Sequence, residues 1–286
     1  MRSMLFVPGH EPKKLAKGRD SGADALIVDL EDAVAPERKV DARRTIREFL
    51  DAPRAQPVFV RINALYEDFA ADDIAAVVGG APDGIMLPKC CSPDEVRVLD
   101  HILTVMEARE GVARGQIKIL PLAVELASAV FTLGGYRNVS PRLCGLMWGV
   151  EDLATDLASA VRDEHGQYLP AIELGRSLCL YAAATAGVPA VDAVFTDFRD
   201  DDGLAAECAA AQRAGFAIKA AIHPQQIAVI NEAFTPSPEA VARATRIVAA
   251  FLAAPGQGAI ALDGRMHDRP HLRAAELILA RARRTT

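Results

Sequence analysis

Eight short apolar runs, each followed by a charged stretch of helical periodicity, constrain this chain more than any other feature. They read SMLFVPG (3–9), DALIVDLED (24–32), PVFVRIN (57–63), GIMLPKC (84–90), IKILPLAVE (117–125), LCGLMWG (143–149), AVDAVFTDF (190–198) and FAIKAAIHP (216–224). Nearly continuous Val, Ile and Leu imply strands buried on both faces, as in a parallel sheet. Intervening segments such as PERKVDARRTIREFL (36–50) and SPDEVRVLDHILTVMEARE (92–110) carry the helical period. Eight strands with helical crossovers close most simply as an α/β protein of the (β/α)8 TIM-barrel type. A doubly wound sheet is the runner-up.

At 286 residues the chain is long enough for one such barrel. No linker rich in Gly, Ser or Pro divides the first 235 residues. After TPSPEA (235–240) the pattern changes to a helix, the loop PGQGAIALDGRMHDRP (255–270) and a last helix from about Pro270. We therefore expect a barrel catalytic domain over 1–235 and a C-terminal helical arm or lid over 236–286.

Several function classes are disfavoured. A net charge of −6 argues against a general nucleic-acid binder, which needs a clustered basic face. The basic run RARR (281–284) reads as a short solvated tail. Cys90, Cys91, Cys144, Cys179 and Cys208 form no CxxC pair, so zinc and disulfide readings are weak and reduced thiols in a cytoplasmic protein fit best. Pro8 and Gly9 interrupt the N-terminal apolar run too early for a signal peptide. No uninterrupted apolar stretch of about 18 residues exists, so no membrane span is expected.

The apolar runs end in polar residues. The second ends in Asp29, Glu31 and Asp32, the third in Arg61 and Asn63, the fourth in Lys89 and the fifth in Glu125. The sixth ends in Gly149, Glu151 and Asp152, the seventh in Asp197 and the eighth in His223. In a barrel all of these gather at the C-terminal rim, where barrel active sites lie. A single acid after a strand is often a helix cap, but so many together point to a pocket.

Carboxylates crowded on one rim repel unless a cation sits among them. Glu125 and Asp152 follow apolar runs directly on adjacent strands, and two carboxylates with water and substrate oxygens suit Mg²⁺. The alternatives are a salt bridge from Glu125 to Arg61 and a helix-capping role for Asp152. Asp156, one turn further on, reads as solvent-facing or as a cap. Arg61 can grip a carboxylate or carbonyl in a planar fork, or pair with Glu31 or Asp32. Lys89 raises a Schiff-base route, ranked below the metal. His223 reads as a base or, more simply, as structural.

The motifs RSMLFVPG, ADALIVDLEDAV, VRIN, IMLPK, GVEDLATDL and IHPQQI, in that order, resemble the citrate lyase β-subunit-like branch of the HpcH/HpaI aldolase superfamily. Relatives there include malyl-CoA, β-methylmalyl-CoA and citramalyl-CoA lyases. The resemblance covers residues 2–235, and LDGRMHDRPHLRAAELILARA looks like the family's C-terminal arm. It implies a cytoplasmic Mg²⁺-dependent barrel lyase that holds a 2-oxo acid against an acyl-CoA enolate. By resemblance Glu125 and Asp152 would bind the metal, and Arg61 would polarise the carbonyl and stabilise the enolate. Amides of Gly149 and Val150 would cradle the substrate carboxylate, and Arg2 would lie near the CoA mouth. Asp268 would serve a neighbouring subunit's site as acid or base, implying a homotrimer or hexamer with the arm as a shared lid. A malyl-CoA-type thioesterase and a citrate lyase β subunit acting on a carrier-bound citryl group are the alternatives. Two departures stand out. Leu126 replaces the family's usual Thr after Glu125, and Ile218 stands where Gly often precedes Lys219, a change expected to narrow the pocket mouth or shift the strand.

Overall fold

The computed structural model describes residues 1–283. The eight apolar runs become eight parallel strands: β1 (Ser3–Pro8), β2 (Ala25–Asp29), β3 (Val58–Arg61), β4 (Gly84–Leu87), β5 (Lys118–Val124), β6 (Leu146–Trp148), β7 (Ala190–Asp192) and β8 (Ile218–Ala221). Each pairs with the next in sequence, and β8 closes against β1 through Ser3↔Lys219 to give a barrel.

Side chains alternate across the barrel wall, as the pleat requires. Ala25 and Ile27 of β2 join Met4, Phe59, Met86, Leu120, Met147 and Val191 in an interior cluster. Leu26 and Val28 face outward into the larger core between strands and helices. Seven of the eight units carry α-helices: α1 (Pro12–Arg19), α2 (Lys39–Asp51), α3 (Ala70–Val77), α4 (Pro93–Glu110), α5 (Val150–Asp156) with α6 (Pro170–Ala186), α7 (Asp201–Ala214) and α8 (Gln226–Phe234). The crossover from β5 to β6 instead holds two 3-10 turns, Ala127–Phe131 and Leu133–Tyr136. Its Gly134–Gly135 pair opposes a longer helix.

Beyond the barrel, α9 (Pro238–Ala253) starts at Ser237, whose hydroxyl accepts from the Ala240 amide. The segment read as a loop is a hairpin, β9 (Ala259–Leu262) with β10 (Arg265–Asp268). Asp263 and Gly264 both take left-handed φ, 52° and 72°, as a two-residue hairpin turn needs. α10 (Arg269–Arg283) packs on α9 through Ala275 against Ala244 and Ile247. Its later residues Leu277, Ala280 and Arg281 line a cavity with Met1, Arg2 and Met4, below the N-terminal ends of the strands. Within its own chain the arm therefore lies under the barrel floor, opposite the rim. The expected solvated tail is part of this helix: Arg281 is half-buried, and Arg284 lies outside the described residues.

Candidate active site

A cavity of about 400 Å³ opens at the C-terminal rim. Asp29, Asp32, Arg61, Glu125, Gly149, Val150, Glu151 and Asp152 line it. Seven of the expected rim positions thus converge, together with Val150. Three do not. Asn63 is buried elsewhere, donating to Asp73 and accepting from Lys39. Asp197 turns back to accept from the Arg199 amide. His223 stacks on Phe198 at 4.7 Å.

Arg61, the last residue of β3, lies across the barrel top. Its Nε and Nη2 donate to the two oxygens of Asp29 at 2.8 and 2.6 Å. Nη1 lies 2.8 Å from Glu31, and the guanidinium sits 5.0 Å from the Phe6 ring centroid. Burial works against its charge, but Asp29 and Glu31 outweigh that and raise its pKa. Of the partners the sequence offered, Glu31 or Asp32, the structure gives Glu31, and it adds Asp29, which the sequence did not name.

Glu125 is 2% exposed. Burial, reinforced by the charges of Glu31 and Asp152, pushes its carboxyl up to about 8 against the pull of the Lys89 amide and Arg61. That amide donates to Oε2 at 2.5 Å. Lys89 reaches this geometry with a left-handed φ of 49°. Its Nζ is bound to Glu31 and lies 3.5 Å from Asp32. Burial opposes the Lys89 charge, but Glu31 prevails and raises its pKa. A charged amine held this way is a poor Schiff-base nucleophile, which removes the basis for the Schiff-base route.

β6 delivers the third part. Trp148 is anchored by its indole N–H to Asp192 at 2.9 Å, and the chain then enters α5. The Gly149 amide donates to the Val124 carbonyl at 2.8 Å, so it does not face a substrate carboxylate as expected. The Val150 amide, at the first helical position, has no such acceptor among the described residues. Gly149 matters through its missing side chain: a Cβ there would lie 3.1 Å from Glu125 Cγ and 3.3 Å from Oε1. Glu151 is exposed and makes no ion pair among the described residues. Asp156 faces solvent, as expected, and also accepts the Ala127 amide at 2.6 Å, tying the turn after Glu125 to α5.

Other expected residues lie apart. Arg2 is at the barrel floor, where Nε and Nη2 fork onto Asp24 at 3.0 and 2.8 Å. It precedes β1, and a residue before a barrel strand points away from the rim; it cannot serve a rim site of this chain. Asp268 ends β10 and holds His271 at 2.5 Å, away from the rim cavity of its own chain. Ile218 begins β8 and faces the floor cavity, so it neither narrows the rim nor disturbs the strand pairing. The sequence missed the supporting role of Asp29; its position at the end of the second run was the available signal.

The donor set suits Mg²⁺. Glu125 and Asp152 offer only oxygen, and Glu125 is a buried acid whose repulsion from Glu31 and Asp152 a cation would relieve. Among the described residues no group of three or more His, Cys, Asp or Glu could hold a metal. Two carboxylates with the remaining positions left to water and substrate is a common Mg²⁺ arrangement.

Residues 2–224 match the model of the HpcH/HpaI aldolase/citrate lyase family. The chain belongs to this family. Residues 177–285 also match a C–C bond lyase family of TIM-barrel fold. Among curated relatives, a (3S)-malyl-CoA thioesterase of Cereibacter sphaeroides is 35% identical over 98% of this chain and 94% of its own. The citrate lyase subunit beta of Haemophilus influenzae is 34% identical over 99% and 97%. The Mycobacterium tuberculosis CitE structure in complex with magnesium, acetoacetate and coenzyme A is 35% identical, with a TM-score of 0.80 over 98% of this chain and 97% of that one. Members of the family are enzymes, and CitE structures hold magnesium. Among the described residues no helix is long and apolar enough to cross a membrane.

Proposed function

We propose that this protein is a Mg²⁺-dependent carbon–carbon lyase acting on a 3-hydroxyacyl-CoA such as malyl-CoA or citramalyl-CoA. The observation that carries the proposal is the convergence of Glu125, Asp152 and Arg61 on one rim cavity, with Glu125 buried among like charges. Glu125 and Asp152 would hold the metal, which when bound polarises a substrate oxygen as a Lewis acid. Arg61, braced by Asp29, Glu31 and the face of Phe6, keeps a fixed positive charge beside that oxygen. The Val150 amide receives one oxygen of the substrate carboxylate.

In cleavage the 3-hydroxyl loses its proton and becomes the carbonyl of a 2-oxo acid. The bond between C2 and C3 breaks, and its electron pair passes into the thioester as an enolate. Arg61 stabilises the negative charge developing on oxygen. A proton then reaches C2 to give the acyl-CoA. Asp268 is half-buried on the tail hairpin and remote from its own rim. We assign it as acid or base to the site of a neighbouring copy in a homotrimer or hexamer.

The thioesterase relative favours a second reading, in which the same site hydrolyses a malyl-CoA-type thioester. The citrate lyase relative favours a third, a carrier-bound citryl group. The metal assignment is tested with Asp152→Ala: it should lose magnesium-dependent turnover while keeping its circular dichroism and melting profile. Full turnover in that variant would remove Asp152 as a ligand.

A further inference from the structure

We infer that Asp192 is a positioning residue for the metal-binding turn, acting on Asp152 through Trp148. This rests on the reading of Asp152 as a Mg²⁺ ligand and deepens it. β6 and β7 are the shortest strands of the barrel, three residues each. Their ladder pairs Leu146 with Ala190 and Met147 with Val191 and goes no further. On the other side of β6, the register with β5 shifts between Leu122 and Val124. Backbone pairing is thus thin where the chain leaves Trp148 for Gly149 and α5, the helix that carries Asp152.

A side chain takes over where the ladder stops. Asp192 is the last residue of β7 and is fully buried. It comes next in register opposite Trp148 and accepts the indole N–H at 2.9 Å. On its other side it pairs in register with Lys219 of β8, whose Nζ donates to it at 2.9 Å. One carboxylate therefore ties three consecutive strands together at their C-terminal ends.

Further groups hold this clamp. Lys219 also donates to the Ala193 carbonyl and to Glu207, each at 2.7 Å. Glu207 binds Arg162, whose guanidinium lies 4.0 Å from the Tyr168 ring centroid. Tyr168 in turn packs edge-to-face with Trp148 at 5.5 Å. Arg176 adds a second cation 3.4 Å from Asp192. Burial opposes the charge on Asp192, but Lys219 and Arg176 outweigh it and hold the carboxyl below its usual range.

Buried charges of this kind are weak evidence for stability, since apolar side chains of similar volume often serve as well. An apolar substitute cannot supply the directed N–H···O bond that fixes Trp148 and, with it, the start of α5. Misplacement of a site group by about 1 Å is enough to cost about 100-fold.

The test is Trp148→Phe, which removes the indole N–H and leaves every ion pair of Asp192 in place. Magnesium calorimetry, kcat and KM are measured well below the melting temperature. The magnesium Kd should rise about 10- to 100-fold, and kcat should fall with it while KM for the thioester stays near that of the parent. A purely structural role would instead lower the melting temperature and leave magnesium affinity and kcat as in the parent, and that result would overturn the inference. Trp148 is the only tryptophan of the chain, so a second measurement needs no change at this position. Its emission in the parent protein should change as Mg²⁺ saturates and stay constant in Asp152→Ala, because coupling between two sites is reciprocal. Unchanged emission at calorimetric saturation would overturn the coupling even should Trp148→Phe fail to fold. A parent protein that binds no Mg²⁺, indistinguishable from Asp152→Ala, would overturn the metal reading and the inference together.

Discussion

Arg61 and Asp29 form a two-point fork between adjacent strands of the barrel, with N–O distances of 2.8 and 2.6 Å. Asp29 also accepts the amides of Glu31 and Ala33, so one carboxylate fixes both the arginine and the turn after β2. Asp29→Asn would keep the shape but lose the charge of the fork. We expect kcat to fall roughly 10- to 100-fold through misplacement of Arg61. Arg61→Lys cannot make the fork and should lose about 10²–10³-fold. Steady-state kinetics on the two variants, with melting curves, checks both numbers.

Glu125 links metal binding to protons. Its ordinary value of 4.5 is pushed up to about 8 in the fold. Between those values the metal-free folded state holds a proton that the unfolded chain releases. Its stability should therefore fall as pH rises from about 4.5 through about 8. A metal needs the carboxylate, so binding at pH 7 should release about one proton and tighten with rising pH. Magnesium calorimetry in two buffers of different ionisation enthalpy reads that proton directly. A buffer-independent enthalpy would contradict it.

Lys89 is placed by its backbone as much as by its amine. Its left-handed φ of 49° aims its N–H at Glu125, and such a conformation costs a side chain about 1 kcal/mol. Lys89→Gly should keep that hydrogen bond and lose only the amine's pairing with Glu31. Lys89→Val, whose branched side chain resists this region, should lose about 1–3 kcal/mol more than Lys89→Gly. Chemical denaturation of the two variants separates backbone from amine, since neither retains Nζ.

Arg2 should matter for stability alone. It staples the barrel floor to Asp24 and donates to Thr235. Arg2→Ala should cost about 1–2 kcal/mol and leave kcat and KM for the CoA thioester unchanged. A raised KM would place Arg2 at a thioester site after all.

The barrel was legible because strands buried on both faces leave long apolar runs, and a barrel buries every strand. The rim cavity was legible because the polar residues Asp29, Arg61, Glu125 and Asp152 interrupt those runs at equivalent ends. What the runs could not show was direction. Asn63 and Asp29 both follow apolar residues, yet Asn63 turns into the packing of α2 and α3 beside Lys39 and Asp73, while Asp29 faces Arg61. Arg2 resembled a site residue because it opens a recognisable motif, but its place before β1 assigns it to the floor. The β9–β10 hairpin carried its own signal, Asp263–Gly264 between short apolar stretches, masked by the glycines around it.

The central claim is metal-dependent carbon–carbon cleavage, and chromatographic product analysis tests it most directly. Purified protein would be incubated with malyl-CoA or citramalyl-CoA, with Mg²⁺ and with chelator. The account predicts acetyl-CoA and a 2-oxo acid in equal amounts, only with Mg²⁺. Free CoA without acetyl-CoA, or cleavage that survives the chelator, would contradict it.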